Sequence, residues 1–110
     1  MCSSSRYVKN DFAPIDRAQI LKRLARIPVT TWHYKSEKAG VRHIGPMAQD
    51  FARAFHFGQG DTGIAMVDAD GISLAAIQGL YGQNQDLRRR LAAQNARLNR
   101  LERAVSALSR

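Results

Sequence analysis

The sequence predicts an α+β fold, in which a small domain of helices and a β-meander precedes a long C-terminal helix. Three observations predict it. Apolar residues recur at alternating spacings of three and four through the last third of the chain, which is typical of a coiled coil. Two earlier segments carry helix start and stop signals. Short runs of β-branched and aromatic residues between turn residues indicate strands. We therefore expect an N-terminal segment (1–13), a small domain (14–72) and a coiled-coil helix (73–110).

The first helix is predicted after the polar segment 1–13, which is expected to be extended or irregular. Asp16 is a good N-cap, and Gln19 three residues later has the spacing of a capping box. Pro28 ends the helix, because proline lacks the backbone N–H that a helix interior requires. The apolar positions, which we expect to face the core of the small domain, are Ile20, Leu21, Leu24 and Ile27.

A β-hairpin and a second helix follow. Residues 29–35 are rich in β-branched and aromatic side chains and predict a strand, and residues 41–44 would be its hairpin partner across a polar turn. Pro46 predicts the first position of the second helix, where its fixed φ is favourable. This helix would place four apolar residues on one face: Met47, Phe51, Ala54 and Phe55.

The segment before the long helix is predicted to contain the third strand of the meander. Residues 57–63 are rich in glycine and predict a loop. Residues 64–67 predict a short strand, and residues 68–71 predict a turn. The long helix is therefore expected to begin near Ser73.

The long helix is predicted by ten seam positions in an unbroken heptad pattern, eight of which are apolar. A stripe this narrow favours a coiled coil over one face of a globular helix. Asn84 at an a position and Gln94 at a d position would form polar layers that fix the register of the strands. Arg97 at g would reach Glu102 at e of a neighbouring chain. The seam positions are Ile77, Leu80, Asn84, Leu87, Leu91, Gln94, Leu98, Leu101, Val105 and Leu108.

The number of strands is left open by the residue types, since leucine at both a and d is compatible with two or three helices. The alternative to a coiled coil is a long helix that folds back on its own domain.

The charge of +8 is concentrated in the C-terminal part of the chain. Residues 80–110 contain seven arginines against Asp86 and Glu102, and three of the arginines form the cluster Arg88, Arg89 and Arg90. Such a cluster is compatible with binding to nucleic acid or to an acidic surface. Because no aromatic residues are interleaved with it, we favour a solvated coil exterior and do not expect a nucleic-acid partner.

The residues that commonly bind metals are few and poorly spaced. Cys2 is the single cysteine, so an internal disulfide and a cysteine-based zinc site are excluded. His33, His43 and His56 lack the spacing of metal ligands. No apolar run reaches the length that spans a membrane. The sequence therefore predicts no metal, no cofactor and no membrane partner.

One combination of segments is more specific. Residues 42–51 read Arg-His-Ile-Gly-Pro-Met-Ala-Gln-Asp-Phe and follow a Trp-x-Tyr strand at 32–34. Residues 67–80 begin with Val-Asp and contain Gly-Ile-Ser-Leu-Ala-Ala-Ile-Gln-Gly-Leu. This combination resembles the C-terminal intramolecular chaperone domain of phage endosialidases and tail fibres or tailspikes, the peptidase S74 family. The resemblance extends from about Ser4 into the coil.

The resemblance implies a parallel homotrimer at the C-terminus of an elongated fibre protein. Its partners would be two further copies of itself and the upstream fibre or spike domain of the same polypeptide, whose folding it assists before it cuts itself off. It also implies action in the cytoplasm of a bacterial host during phage or prophage assembly, with the parent protein in the virion tail.

The family's cleavage motif is Ser-Asp-x-x-Leu-Lys, with the cut just before the serine, and residues 4–9 resemble it. The resemblance implies that Ser4 is the nucleophile, Lys9 the base and the Ser3–Ser4 bond the cleavage site. Ser5 replaces the usual aspartate, and Val8 replaces the leucine. Ser3 and Ser5 are alternative nucleophiles, but only Ser4 has the family's spacing to Lys9.

The chemistry of this pair can be stated independently of the family. A serine hydroxyl becomes a good nucleophile when a base accepts its proton, and a neutral lysine amine can be that base. Two alternatives stay open: a structural trimerisation domain without catalysis, and a coiled-coil protein that binds DNA.

Overall fold

The computed structural model describes residues 3–109, so Cys2 lies outside the described residues, and it confirms the α+β class. The elements in chain order are a 3₁₀ turn at Arg6–Val8, α1 at Arg17–Leu24, β1 at Thr30–Trp32, β2 at His43–Gly45, α2 at Ala48–Phe55 and α3 at Met66–Leu108.

Helix α1 confirms the predicted N-cap. The side chain of Asp16 accepts a hydrogen bond from the backbone N–H of Gln19 at 3.1 Å. The helix ends at Leu24, and one irregular turn separates it from Pro28. The predicted apolar face packs on the core, with Ile20 buried and Leu21, Leu24 and Ile27 partly buried.

The core lies where the three α-helices meet. Helix α1 contributes one buried side chain, α2 contributes two, and the N-terminal part of α3 contributes three. These six are Ile20, Phe51, Phe55, Ile72, Ala75 and Ala76. Small residues on α3 allow the helices to approach closely: a Cβ built at Gly79 would lie 2.7 Å from the backbone oxygen of Arg17.

The two strands form an antiparallel hairpin with the register Thr30↔Gly45, Thr31↔Ile44 and Trp32↔His43. Each strand is three residues long, so the predicted first strand was too long at both ends. Within residues 3–109 the strands contact each other but none of the helices. The hairpin therefore projects from the helical part of the domain.

The predicted third strand at 64–67, the turn at 68–71 and the helix start near Ser73 were wrong, because α3 already begins at Met66. Asp68 lies in the first helical turn, where a carboxylate is favourable beside the positive end of the helix dipole. Gly71 costs a helix about 1 kcal/mol, and the burial of Ile72, Ala75 and Ala76 offsets that cost. The β-meander is thus a single hairpin.

The predicted start of the second helix at Pro46 was also wrong. Helix α2 begins at Ala48, and its N-cap Met47 has an extended backbone. Strand β2 continues to Gly45, and a residue before proline favours an extended conformation. The two buried phenylalanines of α2, Phe51 and Phe55, do lie on the predicted apolar face.

Helix α3 has 43 residues and is therefore about 65 Å long. Its N-terminal part packs on α1, while its C-terminal part extends away from the domain and has exposed side chains from Asp86 to Ser109. All ten predicted seam residues are exposed. This geometry contradicts the alternative in which the whole helix folds back on its own domain. Within residues 3–109 no helix has both the length and the apolar character needed to cross a bilayer.

Candidate active site

The N-terminal segment is folded back on itself by the 3₁₀ turn. Ser5 is the N-cap of the turn, and its Oγ accepts a hydrogen bond from the backbone N–H of Tyr7 at 3.2 Å. Two backbone bonds close the turn: the N–H of Val8 donates to the oxygen of Ser5 at 3.2 Å, and the N–H of Lys9 donates to the oxygen of Arg6 at 3.4 Å. The turn therefore brings residues on its two sides together.

Ser4 and Lys9 meet across this turn. The Nζ of Lys9 donates a hydrogen bond to the Oγ of Ser4 at 2.6 Å. An extended chain would separate the two Cα atoms by roughly 16 Å, so the contact depends on the turn. The same contact lets a neutral lysine amine accept the serine proton directly, because no intervening group is needed. The roles of Ser4 as nucleophile and of Lys9 as base remain predictions.

The surroundings of the pair are open to solvent. Ser3, Ser4, Ser5 and Lys9 are all exposed, and the 3₁₀ turn has no buried residue. The side chain of Tyr7 is 92% exposed. In the single chain, water therefore reaches both the hydroxyl and the amine.

A second polar cluster lies on the hairpin and was not predicted from the sequence. The Oε1 of Glu37 accepts from the backbone N–H of Tyr34 at 2.8 Å, and it lies 2.9 Å from the Nε2 of His43. The hydrogen bond with His43, followed by the one from Tyr34, lowers the pKa of the Glu37 carboxyl below its usual value. Trp32 and Tyr34 are two residues apart in the sequence. In an extended segment this spacing indicates that both side chains lie on the same face of the hairpin.

Aromatic rings pack beside this hydrogen bond between Glu37 and His43. The ring of Trp32 meets that of Tyr34 edge to face with centroids 4.9 Å apart, and it lies 5.1 Å from the ring of His43. The Nε1–H of Trp32 donates to the backbone oxygen of Gly45 at 3.3 Å. These contacts help to hold together a hairpin that does not pack on the helices.

The C-terminal part of α3 presents an exposed apolar stripe. Leu87, Leu91, Leu98 and Leu101 are each more than half exposed, on one stripe of the helix. The arginine cluster is exposed as well, and within it Arg89 forms an ion pair with Asp86 on the same helix. No group of three or more potential metal ligands lies together within residues 3–109.

A comparison with family models matches residues 4–57, just under half of the 110-residue chain, to the family described as chaperone of endosialidase, Peptidase S74. This match confirms the resemblance noted in the sequence, and it supports an intramolecular chaperone role. The matched segment contains the Ser4–Lys9 pair, the hairpin and α2, and it ends before α3 begins. A search of curated proteins finds no match to the chain.

Proposed function

We propose that the chain, whose residues 4–57 match the family described as chaperone of endosialidase, is a self-releasing intramolecular chaperone. It trimerises through α3 and assists the folding of an upstream fibre or tailspike-type domain of the same polypeptide. It then releases itself by cutting the Ser3–Ser4 bond. The observation that carries the proposal is the 2.6 Å contact between Lys9 Nζ and Ser4 Oγ inside the matched segment.

The proposed reaction begins with proton transfer. The neutral amine of Lys9 accepts the proton of the Ser4 hydroxyl while Oγ attacks the carbonyl carbon of Ser3. The C–N bond between Ser3 and Ser4 then breaks, and the Lys9 ammonium returns the proton to the leaving amine. The product is an ester between the Ser3 acyl group and Ser4 Oγ. Water hydrolyses this ester to a carboxyl group on Ser3 and the free hydroxyl of Ser4.

The proposed trimer is supported by the exposed seam of α3. An apolar stripe this long is unusual on a monomer and is typical of an interaction site. Three parallel copies would bury it, with Asn84 and Gln94 facing their equivalents across the axis and Arg97 beside Glu102 of a neighbour. Trimerisation would hold three upstream domains together at high effective concentration and in register, which favours their assembly.

The proposal includes where the chain acts. A chaperone joined to its client acts where the client is synthesised, which for a phage or prophage fibre is the bacterial cytoplasm. The released parent protein would then be a component of the virion tail. Neither a cofactor nor a metal takes part in the proposed reaction.

A non-catalytic trimerisation domain is the second candidate function. The observation that favours it is the solvent exposure of the Ser4–Lys9 pair, because hydrogen bonds between exposed polar side chains are common on protein surfaces. In a non-catalytic domain, Ser4 and Lys9 form an ordinary surface hydrogen bond, and α3 alone carries out trimerisation.

The test is a chain carrying a trimeric fibre segment upstream of residue 1. We expect a product whose first residue is Ser4, detected by mass spectrometry. Ser4→Ala should remain uncut because the nucleophile is gone. Lys9→Arg should also remain uncut because a guanidinium group does not deprotonate at usable pH. Cleavage of the parent should be first order and independent of protein concentration above the trimerisation range, because each chain supplies its own scissile bond.

The controls separate the two functions. Both variants should sediment as trimers, since neither residue lies in the seam. Cutting of Lys9→Arg at the parental rate would contradict the role of Lys9 as base. If the parent trimerises but never cuts, the non-catalytic function is correct. Salt-dependent binding to duplex DNA in a shift assay would instead favour a DNA-binding coil.

A further inference from the structure

The turn that joins Ser4 to Lys9 has few supports of its own. It contains no buried residue, so packing does not hold it. Besides the Ser4–Lys9 contact itself, three hydrogen bonds do: two between backbone groups, and one from the backbone N–H of Tyr7 to the Oγ of Ser5 at 3.2 Å. Only the last of these depends on the identity of a side chain.

We propose that Ser5 is the positioning residue of the Ser4–Lys9 pair, because its side chain caps the turn that brings the two together. This inference rests on the proposed function and deepens it. Ser5 has the extended backbone of an N-cap, with φ −63° and ψ 139°, and it caps the second residue of the turn as serine commonly does. It therefore acts through the population of the closed turn and takes no part in bond breaking.

The consequence of losing the cap follows from the geometry. Without the hydroxyl, the N–H of Tyr7 bonds to water, and the closed turn loses one of the hydrogen bonds that hold it. The separation of Ser4 and Lys9 then increases toward that of an extended chain, and only the closed fraction can react. Loss of an N-cap side chain commonly shifts such an equilibrium about three- to tenfold.

Side chains that can cap the turn should be able to replace Ser5. Asparagine and aspartate cap as well as serine, whereas alanine has no acceptor. Aspartate also adds a negative charge to the turn, whereas asparagine does not. Arg6 is the other charged side chain of the turn and is unchanged in every variant. A comparison of Ser5→Asn with Ser5→Asp therefore separates the effect of capping from the effect of charge.

The kinetic test uses the chain with its upstream fibre segment. We expect Ser5→Ala to slow cleavage about three- to tenfold and Ser5→Asn to restore the parental rate across the pH range. Ser5→Asp, which also caps the turn, should cut faster than Ser5→Ala. Ser106→Ala, a serine on the outer side of α3, is the matched control and should cut at the parental rate. Equal rates for Ser5→Ala and the parent would overturn the inference.

A second measurement does not depend on cleavage. In the 110-residue chain carrying Ser4→Ala, which cannot cut, adding Ser5→Ala should increase hydrogen exchange of the Tyr7 amide about fivefold. Adding Ser5→Asn should leave it unchanged. Unchanged exchange in the Ser5→Ala chain would refute the capping role even if the parent cuts. If exchange responds as expected but the parent never cuts, the capping geometry is supported and the proposed autoproteolysis, with the positioning role that rests on it, is refuted.

Discussion

Ser5 differs from the aspartate that the family resemblance implies at this position, and the turn gives a physical reason why the difference is tolerable. Serine and aspartate are both strong N-cap residues, since each offers a side-chain oxygen to the first free N–H groups of a helical turn. In this chain the acceptor is Ser5 Oγ and the donor is the N–H of Tyr7. The replacement preserves the cap and removes a charge.

The pairing of Ser4 with Lys9 was predicted from the resemblance, but the contact itself could not be predicted from spacing. Five residues of chain are compatible with an extended segment or with a turn. The turn depends on a local competition between the Ser5 hydroxyl and water for one backbone N–H. The hydrogen bond between Glu37 and His43 was missed because it depends on the register of the hairpin, which brings His43 opposite Trp32.

Acid should loosen the hairpin through Glu37. Its pKa is lowered in the folded chain, so its stabilising contribution is present above the unfolded pKa and is lost as pH falls through the folded pKa. Trp32 is the single tryptophan and lies in the same cluster, so its fluorescence reports the hairpin. We expect the emission of the parent to change as pH falls below the usual carboxyl range. Glu37→Gln should remove that transition.

Asp61→Asn is the matched control for this titration, because Asp61 is an exposed carboxylate in the loop between α2 and α3. Its acid transition should match that of the parent. An unchanged transition in Glu37→Gln would show that another group controls the response of the hairpin to acid.

At the scale of elements, the sequence predicted helices more reliably than strands. The cap at Asp16 and the apolar faces of α1 and α2 are local features that the sequence carries directly. Apart from Lys35, the extra residues assigned to the first strand have β-branched or aromatic side chains, but they have no partner strand. Residues 64–67 were assigned to a strand because of the same composition. The packing of α3 on α1, which is a tertiary effect, decided in favour of helix from Met66 onward.

Gly79 should be essential for the crossing of α1 and α3. A methyl group there would lie 2.7 Å from the backbone oxygen of Arg17 and 3.2 Å from its carbonyl carbon. Backbone atoms cannot rotate away as a flexible side chain can, so the helices must separate. We expect Gly79→Ala to lower the free energy of unfolding by about 1–3 kcal/mol, measured by denaturant titration.

Gly82→Ala is the matched control on the same helix. A Cβ at this position would meet no atom within 4 Å. Replacing an exposed helical glycine with alanine should raise the free energy of unfolding by roughly 0.5–1 kcal/mol. If both alanine variants are stabilised equally, the close approach of α1 and α3 at Gly79 is not a constraint on the fold.

At the scale of the whole molecule, α3 has two different faces. Ile72, Ala75 and Ala76 face the core, whereas the seam that begins at Ile77 and Leu80 lies roughly 100° away around the helix axis. One rigid helix can therefore pack on its own domain and on other copies at the same time. Folding of the domain fixes the first turns of α3, which reduces the entropy cost of starting a coiled coil.

The seam is the feature on which the proposed assembly depends. The double substitution Leu98→Asp and Leu101→Asp would place two carboxylates per chain in adjacent layers of the coil. A buried charge without a partner costs about 3–5 kcal/mol, and three chains would repeat the cost in both layers. We expect sedimentation to show monomers where the parent sediments as a trimer, with the helical domain of residues 17–79 still folded by circular dichroism.

The matched control for the seam is the double substitution Ala96→Asp and Asn99→Asp. These residues lie in the same stretch of α3 at positions f and b of the heptad, so they add the same two charges on the outer side of the coil. This variant should remain a trimer, because its carboxylates stay in water. A Leu98→Asp and Leu101→Asp chain that also remains a trimer would show that the exposed apolar stripe of α3 is not the contact between copies. In that case, the upstream domains would have to be joined by another surface of the chain.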